Sequence, residues 1–233
     1  MPRTIEVEGL TNREFFETYA QPGRIGLVGG ITLVDRLIRR SQRRLTDAGA
    51  YSPWSHAFLF HGKRADGHHW VIESDLGIKR KHIRLGVQEN RVHKYHDDEA
   101  YTCAAVLDLG LNAAQEQQLL SHALEQVAAG IRYSMREILG TAWALRHPRE
   151  RLLENRLAQE RAFYCSAFVR HVCSQINFDL AAGLAVKNTT PHDIAESPLL
   201  QTRWLLVRAN PERRTRKLLR KVGERFGRKK LGE

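Results

Sequence analysis

FYCSAFVRHVCSQI, residues 163–176, is the stretch that decides the fold. Cys165, Phe168, Val169, Val172, Cys173 and Ile176 fall at i, i+3, i+4, i+7, i+8 and i+11, one continuous apolar face of an α-helix. A face of that kind must be buried, and the chain upstream supplies a partner. SHAFLFH (55–61) and HWVIES (69–74) are short runs rich in aromatic and branched residues. The segment between them holds Gly62, Asp66 and Gly67, which predicts a β-hairpin.

Working outward, RIGLVGG (24–30) predicts a buried strand ending in a Gly-Gly turn. Residues 31–45 follow as a helix, with Ile31, Val34, Leu37, Ile38 and Leu45 on one face and arginines elsewhere. Further strands are expected over 78–85 and 102–109. Asn112 and Gln115 form a capping-box pattern ahead of a helix over 113–129 that stops at Gly130. Residues 133–157 read as more helix, broken near Pro148. Thr190, Pro191 and Asp193 are the cap, first position and first-turn acid of a short helix, and 203–209 reads as a last strand. Helices and mostly antiparallel strands in separate blocks make an α+β domain over 1–210, with 211–233 as an appended tail.

The 233 residues suffice for one domain with a large core. Cys103, Cys165 and Cys173 are odd in number and lack CxxC spacing, which argues against a disulfide framework and a structural zinc site. His61, His68 and His69 cluster in or beside a turn without an HExxH pattern, so no metal is expected. No signal-peptide layout opens the chain, and no apolar run reaches membrane-spanning length. The expectation is a cytoplasmic protein, with peripheral membrane association or signal-independent export left open. The net charge of +11 is uneven: ten Lys and Arg against three Glu put +7 into 211–233, leaving +4 for the rest.

Cys165 stands near the start of its helix on the inward face, where an anion faces the partial positive charge of the helix N-terminus. A thiolate is the attacking form of cysteine, so the placement suits a nucleophile. Cys173, two turns on, lies beyond the reach of that field. A base is also needed, and hairpin geometry singles out one of eleven histidines. A turn centred near residue 65 sets His56 opposite Glu73 or Ser74, and a carboxylate there would fix the imidazole tautomer. The same pair is also readable as a surface His–Glu contact on an exposed sheet.

Taken in order, GRIGLVGG, SPWSHAFLF, WVIES, FYCSAFV and TTPHDIAES resemble the circularly permuted branch of the NlpC-type papain-like amidases, over residues 22–197. In that branch the histidine precedes the cysteine, as His56 precedes Cys165 here. The resemblance implies a papain-like fold, with the cysteine helix packed on a small antiparallel sheet. It implies Cys165 as nucleophile, His56 as base and then acid, and Glu73 as the group that orients His56. The Cys165 N–H would be an oxyanion donor, with no cofactor. Tyr164, Ser55 and Ser166 are the candidate cleft residues, and 133–161 is a candidate lid or specificity element.

Relatives of this kind cleave peptide amides, including those of cell walls, or move and hydrolyse fatty acyl groups of lipids, as lecithin:retinol acyltransferase-like enzymes do. A peptide amidase, with a polar open cleft, ranks first. A lipid acyl hydrolase or acyltransferase, with an apolar channel beside Cys165, ranks second. In the tail, Leu218, Leu219, Val222 and Phe226 recur at helical spacing amid basic residues. Arg213, Arg214, Arg216, Lys217, Arg220 and Lys221 are therefore the candidate contacts to an anionic membrane. Basic Arg39, Arg40, Arg43 and Arg44 would add to the same surface. A non-enzymatic nucleic-acid-binding module using the tail ranks last.

Overall fold

β2 (Ile25–Gly30) has all six residues buried, because it is the middle strand of the sheet and is paired on both sides. The computed structural model describes residues 2–46, 49–79, 82–132, 135–153 and 163–208. Their seven strands form one sheet in the order β1-β7-β6-β2-β3-β4-β5. The remaining strands are β1 (Arg3–Glu8), β3 (His56–Lys63), β4 (His69–Lys79), β5 (His82–Arg91), β6 (Tyr101–Asp108) and β7 (Thr202–Val207). The helices are α1 (Asn12–Tyr19), α2 (Leu33–Ser41), α3 (Ala113–Ala128), α4 (Met135–Ala144), α5 (Cys165–Ser174) and α6 (Pro191–Ala195). The α+β class holds, but the sheet is neither small nor wholly antiparallel. β1 runs parallel to β7, while every other neighbouring pair is antiparallel.

The pleat sorts side chains between two cores. Ile25 and Leu27 of β2, Ala57 and Leu59 of β3, and Ala105 and Leu107 of β6 pack with Phe168, Val169 and Val172 of α5. The opposite face collects Phe58 and Phe60 with Phe15 and Phe16 of α1, together with Val92 and Tyr95 of a 3-10 turn after β5. Phe58 stacks on Tyr95 at 4.5 Å and 4°. Gly26 makes room for that stack, since a Cβ there would sit 2.1 Å from the Phe58 ring.

α5 buries its first six residues and the whole predicted face. Arg170 ties it down from within: its guanidinium donates to Asp179 Oδ1 at 2.6 Å, Thr189 Oγ1 at 2.9 Å and the Leu184 carbonyl at 2.9 Å. Charge-assisted bonds of that kind satisfy a buried cation.

Several expectations are corrected. The strand over 78–85 is the end of β4 and the start of β5, with Ile78 paired to Ile83. The helix over 31–45 is α2 followed by a 3-10 turn from Gln42 to Leu45, and α2 has no buried residue. Helix α4 and a 3-10 turn at Pro148–Arg151 occupy part of 133–157, and residues 154–162 lie outside the described residues. β1 and α1 were not anticipated, although Thr11 and Glu14 form a capping box with both hydrogen bonds made. The tail 211–233, with Arg213, Arg214, Arg216, Lys217, Arg220 and Lys221, lies outside the described residues. Among the described residues no helix is long and apolar enough to cross a membrane.

Candidate active site

The hairpin register places the first pair of polar groups. Leu59 pairs with Ile72 and Phe60 with Val71, so the same register continued aligns Glu73 with Phe58 rather than with His56. The direct His56–Glu73 opposition is corrected by two residues. His56 and Phe58 share a face of β3, which makes His56 and Glu73 diagonal neighbours on that face. Their side chains meet all the same, His56 Nε2 lying 2.6 Å from Glu73 Oε2.

Glu73 is fully buried and saturated with donors. Asn90 Nδ2 donates to its Oε1 at 2.8 Å and Lys94 Nζ to the same oxygen at 2.5 Å. The Tyr95 hydroxyl donates to Oε2 beside His56. Burial works against the ionised carboxyl, but the Lys94 charge and the His56 hydrogen bond outweigh it. Together they hold Glu73 far below the usual carboxylate range. Lys94 also donates to Asp75 Oδ2 at 2.8 Å. Burial penalises its ammonium, while the Glu73 and Asp75 charges more than compensate and raise its pKa above the lysine norm. Tyr95, raised by burial and then by the Glu73 charge, stays a phenol and hence a donor. Asn90, Lys94, Tyr95 and Asp75 were not singled out in the sequence. Only Asn90 carries a readable signal, because β4 and β5 place it on the Glu73 face two residues from Gln88, the partner of Glu73.

His56 is the first residue of β3 and Cys165 the first of α5, so the imidazole and the thiol sit at the ends of their elements. With Nε2 engaged by Glu73, Nδ1 is left to face another group, and Cys165 lies close enough for its side chain to act on the ring. Burial disfavours the imidazolium. The nearby Cys165 side chain, followed by the Glu73 hydrogen bond and charge, reverses that and raises His56 to about 10. At the other end of the same helix, burial pushes the Cys173 thiol up to about 12, with no partner charge to oppose it.

Two hydrogen bonds fix the cysteine relative to the carboxylate. Ser74 Oγ, next to Glu73 on β4, donates to the Phe163 carbonyl at 2.5 Å. The Tyr164 hydroxyl donates to the Thr189 carbonyl at 2.6 Å. Cys165 and Tyr164 line a pocket with Ile38, Ser41, Gln42, Thr141, Ala142, Thr190 and Pro191, of about 20 Å³. That is room for about one water. Its polar side chains are committed elsewhere: Gln42 to the Trp54 carbonyl and His192 N–H, Thr141 to the Lys187 carbonyl, Thr190 to Asp193, and Ser41 to the Ile38 carbonyl. The wall of that pocket is therefore mainly hydrocarbon.

Ser55 and Ser166 are corrected as cleft residues. Both are buried and absent from the pocket lining. Ser55 Oγ accepts from Gly30 N–H at 3.0 Å, and Ser166 Oγ donates to the Thr189 carbonyl at 2.8 Å. Their short polar side chains stabilise backbone turns from inside. Among the described residues no group of three or more His, Cys, Asp or Glu is placed to hold a metal ion.

No protein-family model matches the chain, and no curated protein matches it in sequence. Among solved structures, the metalloprotein yiiX of Escherichia coli O157:H7 is similar in fold, with a TM-score of 0.53 and 14% identity over 83% of this chain and 99% of that one.

Proposed function

We propose that the chain is a thiol hydrolase of permuted papain-like fold, which cleaves an acyl compound through Cys165, His56 and Glu73. The observation that carries this is the His56 imidazole bonded through Nε2 to the buried, donor-saturated Glu73, with Cys165 at the start of α5 close enough to act on the ring. A carboxylate kept ionised at one ring nitrogen fixes the tautomer and stabilises the imidazolium. His56 then takes the Cys165 proton through Nδ1.

In the first half-reaction the thiolate attacks the acyl carbonyl and a C–S bond forms. The oxyanion is met by the Cys165 N–H, one of the N–H groups that a helix start leaves without an intrahelical partner. Collapse breaks the bond to the leaving nitrogen or oxygen, which takes its proton from His56. Water then gives a proton to His56 and attacks the thioester. The C–S bond breaks, the free acid leaves, and thiolate and imidazolium are regenerated.

The peptide reading calls for a polar open cleft and the lipid reading for an apolar one. The hydrocarbon lining at Cys165 is too small to hold an acyl chain alone, but it adjoins a larger space lined by Val34, Leu37, Ile38, Leu139 and Ala142. That space favours an apolar acyl group, so lipid acyl hydrolysis leads and amide cleavage stands second. The test is hydrolysis of phospholipid vesicles and of muropeptides by wild type and Cys165→Ala, with products read by mass spectrometry. Fatty acid released by the wild type alone is the expected result. Muropeptide cleavage lost in the variant would put the amide reading first, and equal turnover by both proteins would remove Cys165 as nucleophile.

A further inference from the structure

α2 is an amphipathic helix whose apolar face is largely uncovered, Ile38 alone being half-buried. Thr32 and Asp35 close a capping box at its start, and none of its residues is buried. It is held to the body by polar anchors on its other side. Arg39 Nε donates to the Ser52 carbonyl at 3.0 Å, and Gln42, just past its end, donates to the Trp54 carbonyl at 2.8 Å. Leu33 is 75% exposed and Leu37 57%, with Ile31 and Val34 also exposed. Across from it, Leu139 of α4 is 65% exposed. Isolated apolar side chains on a surface need no explanation, but Val34, Leu37 and Leu139 line one feature, with Leu33 exposed one residue before Val34.

That feature is a groove of about 1040 Å³ between α2 and α4. Val34, Leu37, Ile38, Leu139 and Ala142 give it an apolar lining, and Arg40, Arg43, Arg44 and Arg146 a basic one. Of the described residues lining it, none is acidic. Ile38, Ser41 and Ala142 belong both to this groove and to the small pocket at Cys165, so the two adjoin.

We propose that the α2–α4 face docks on an anionic phospholipid surface, with the leucines entering the acyl boundary and the arginines meeting headgroup phosphates. This deepens the lipid reading above and rests on it only for the use made of the docked lipid. Charge and polarity together select the occupant. A second copy would set arginines against arginines, and a nucleic acid would use the arginines but leave the apolar side chains wet. A bilayer of anionic lipid satisfies both at once.

The test is co-sedimentation of the full chain with phosphatidylcholine vesicles, with and without phosphatidylglycerol. Wild type should bind only the anionic vesicles. Leu33→Asp with Leu37→Asp, on a surface that supports no core, should weaken binding by at least about tenfold. Arg40→Gln with Arg146→Gln should weaken it roughly thirtyfold. Leu37→Trp guards against misfolding of the charged variant, because its fluorescence should shift to the blue when anionic vesicles are added. Unchanged binding by both double variants, with binding lost when the 211–233 lysines and arginines are neutralised, would overturn the proposal in favour of the tail. A wild-type dimer that dissociates on Leu33→Asp with Leu37→Asp, and no vesicle binding, would assign the face to a second copy. Cys165→Ala should dock as wild type does. Docking without turnover in wild type would sink the hydrolase while leaving this face intact.

Discussion

α5 and α2 are helices of similar length, both amphipathic by sequence, and the structure uses them in opposite ways. α5 buries eight of its ten residues against the sheet; α2 buries none of its nine. The difference is in what restrains each. α5 is tied by apolar packing and by the Arg170 network inside the protein, whereas α2 is tied by Arg39 and Gln42 to backbone carbonyls while its hydrocarbon looks outward. An apolar stripe thus reports that a helix wants a partner, and only the tertiary structure says whether that partner lies inside the molecule.

The comparison can be broken most severely at the end of α5 that meets His56. Glu73→Gln should lower kcat by roughly 10²–10⁴-fold with the fold retained, as loss of an orienting carboxylate does. Near-wild-type turnover in Glu73→Gln would reduce the His56–Glu73 contact to a structural one. Further along α5, Phe168→Ala should lose about 3–5 kcal/mol of unfolding free energy in urea titration. Leu37→Ala on α2 should stay within about 0.5 kcal/mol in the same titration. Equal losses at the two positions would mean that α2 is a core helix after all.

Acidity sharpens the same contrast. The His56 pKa is raised above its unfolded value, so the imidazolium contributes fully below about 6.5 and is lost as pH climbs through about 10. Turnover should collapse there, while arginine-driven vesicle binding stays level. Glu73 has the opposite sign: its folded value is depressed, so its contribution is complete above the ordinary carboxylate range and fades only as pH falls below it. A rate that dropped between pH 4 and 5, around the ordinary carboxylate pKa of ~4.3, would contradict the burial of that carboxylate among its donors.

The long-period elements were legible in the sequence. The α5 face, the α3 capping box and the 55–74 hairpin were all set by local pattern, and each stands where pattern put it. His56 and Glu73 could be paired by counting across the turn, but Lys63 pairs with His69, which centres the turn on residue 66 rather than 65. The irregularity between Phe60 and Gly62 restores only part of the difference. Lys94 and Tyr95 could not be read. They sit on a 3-10 turn whose approach to Glu73 depends on how β5 ends, and no periodicity encodes that. β1 was missed because its pairing is with β7, nearly the whole chain away. Ser55 and Ser166 misled because a serine beside a functional residue reads the same whether its hydroxyl faces a cleft or a carbonyl.

Glu73 and Ser74 are adjacent on β4, and adjacent strand residues look to opposite faces. One grips the imidazole; the other grips the chain that enters α5. A single peptide unit therefore gauges the spacing between the two halves of the candidate site. Strand pairing shifts only in whole residues, and a one-residue shift exchanges the faces, so both grips would be lost together. The separation of His56 and Cys165 is in effect digital. Insertions in the 64–68 turn should either leave it untouched or abolish it, with no loosened intermediate for selection to tune.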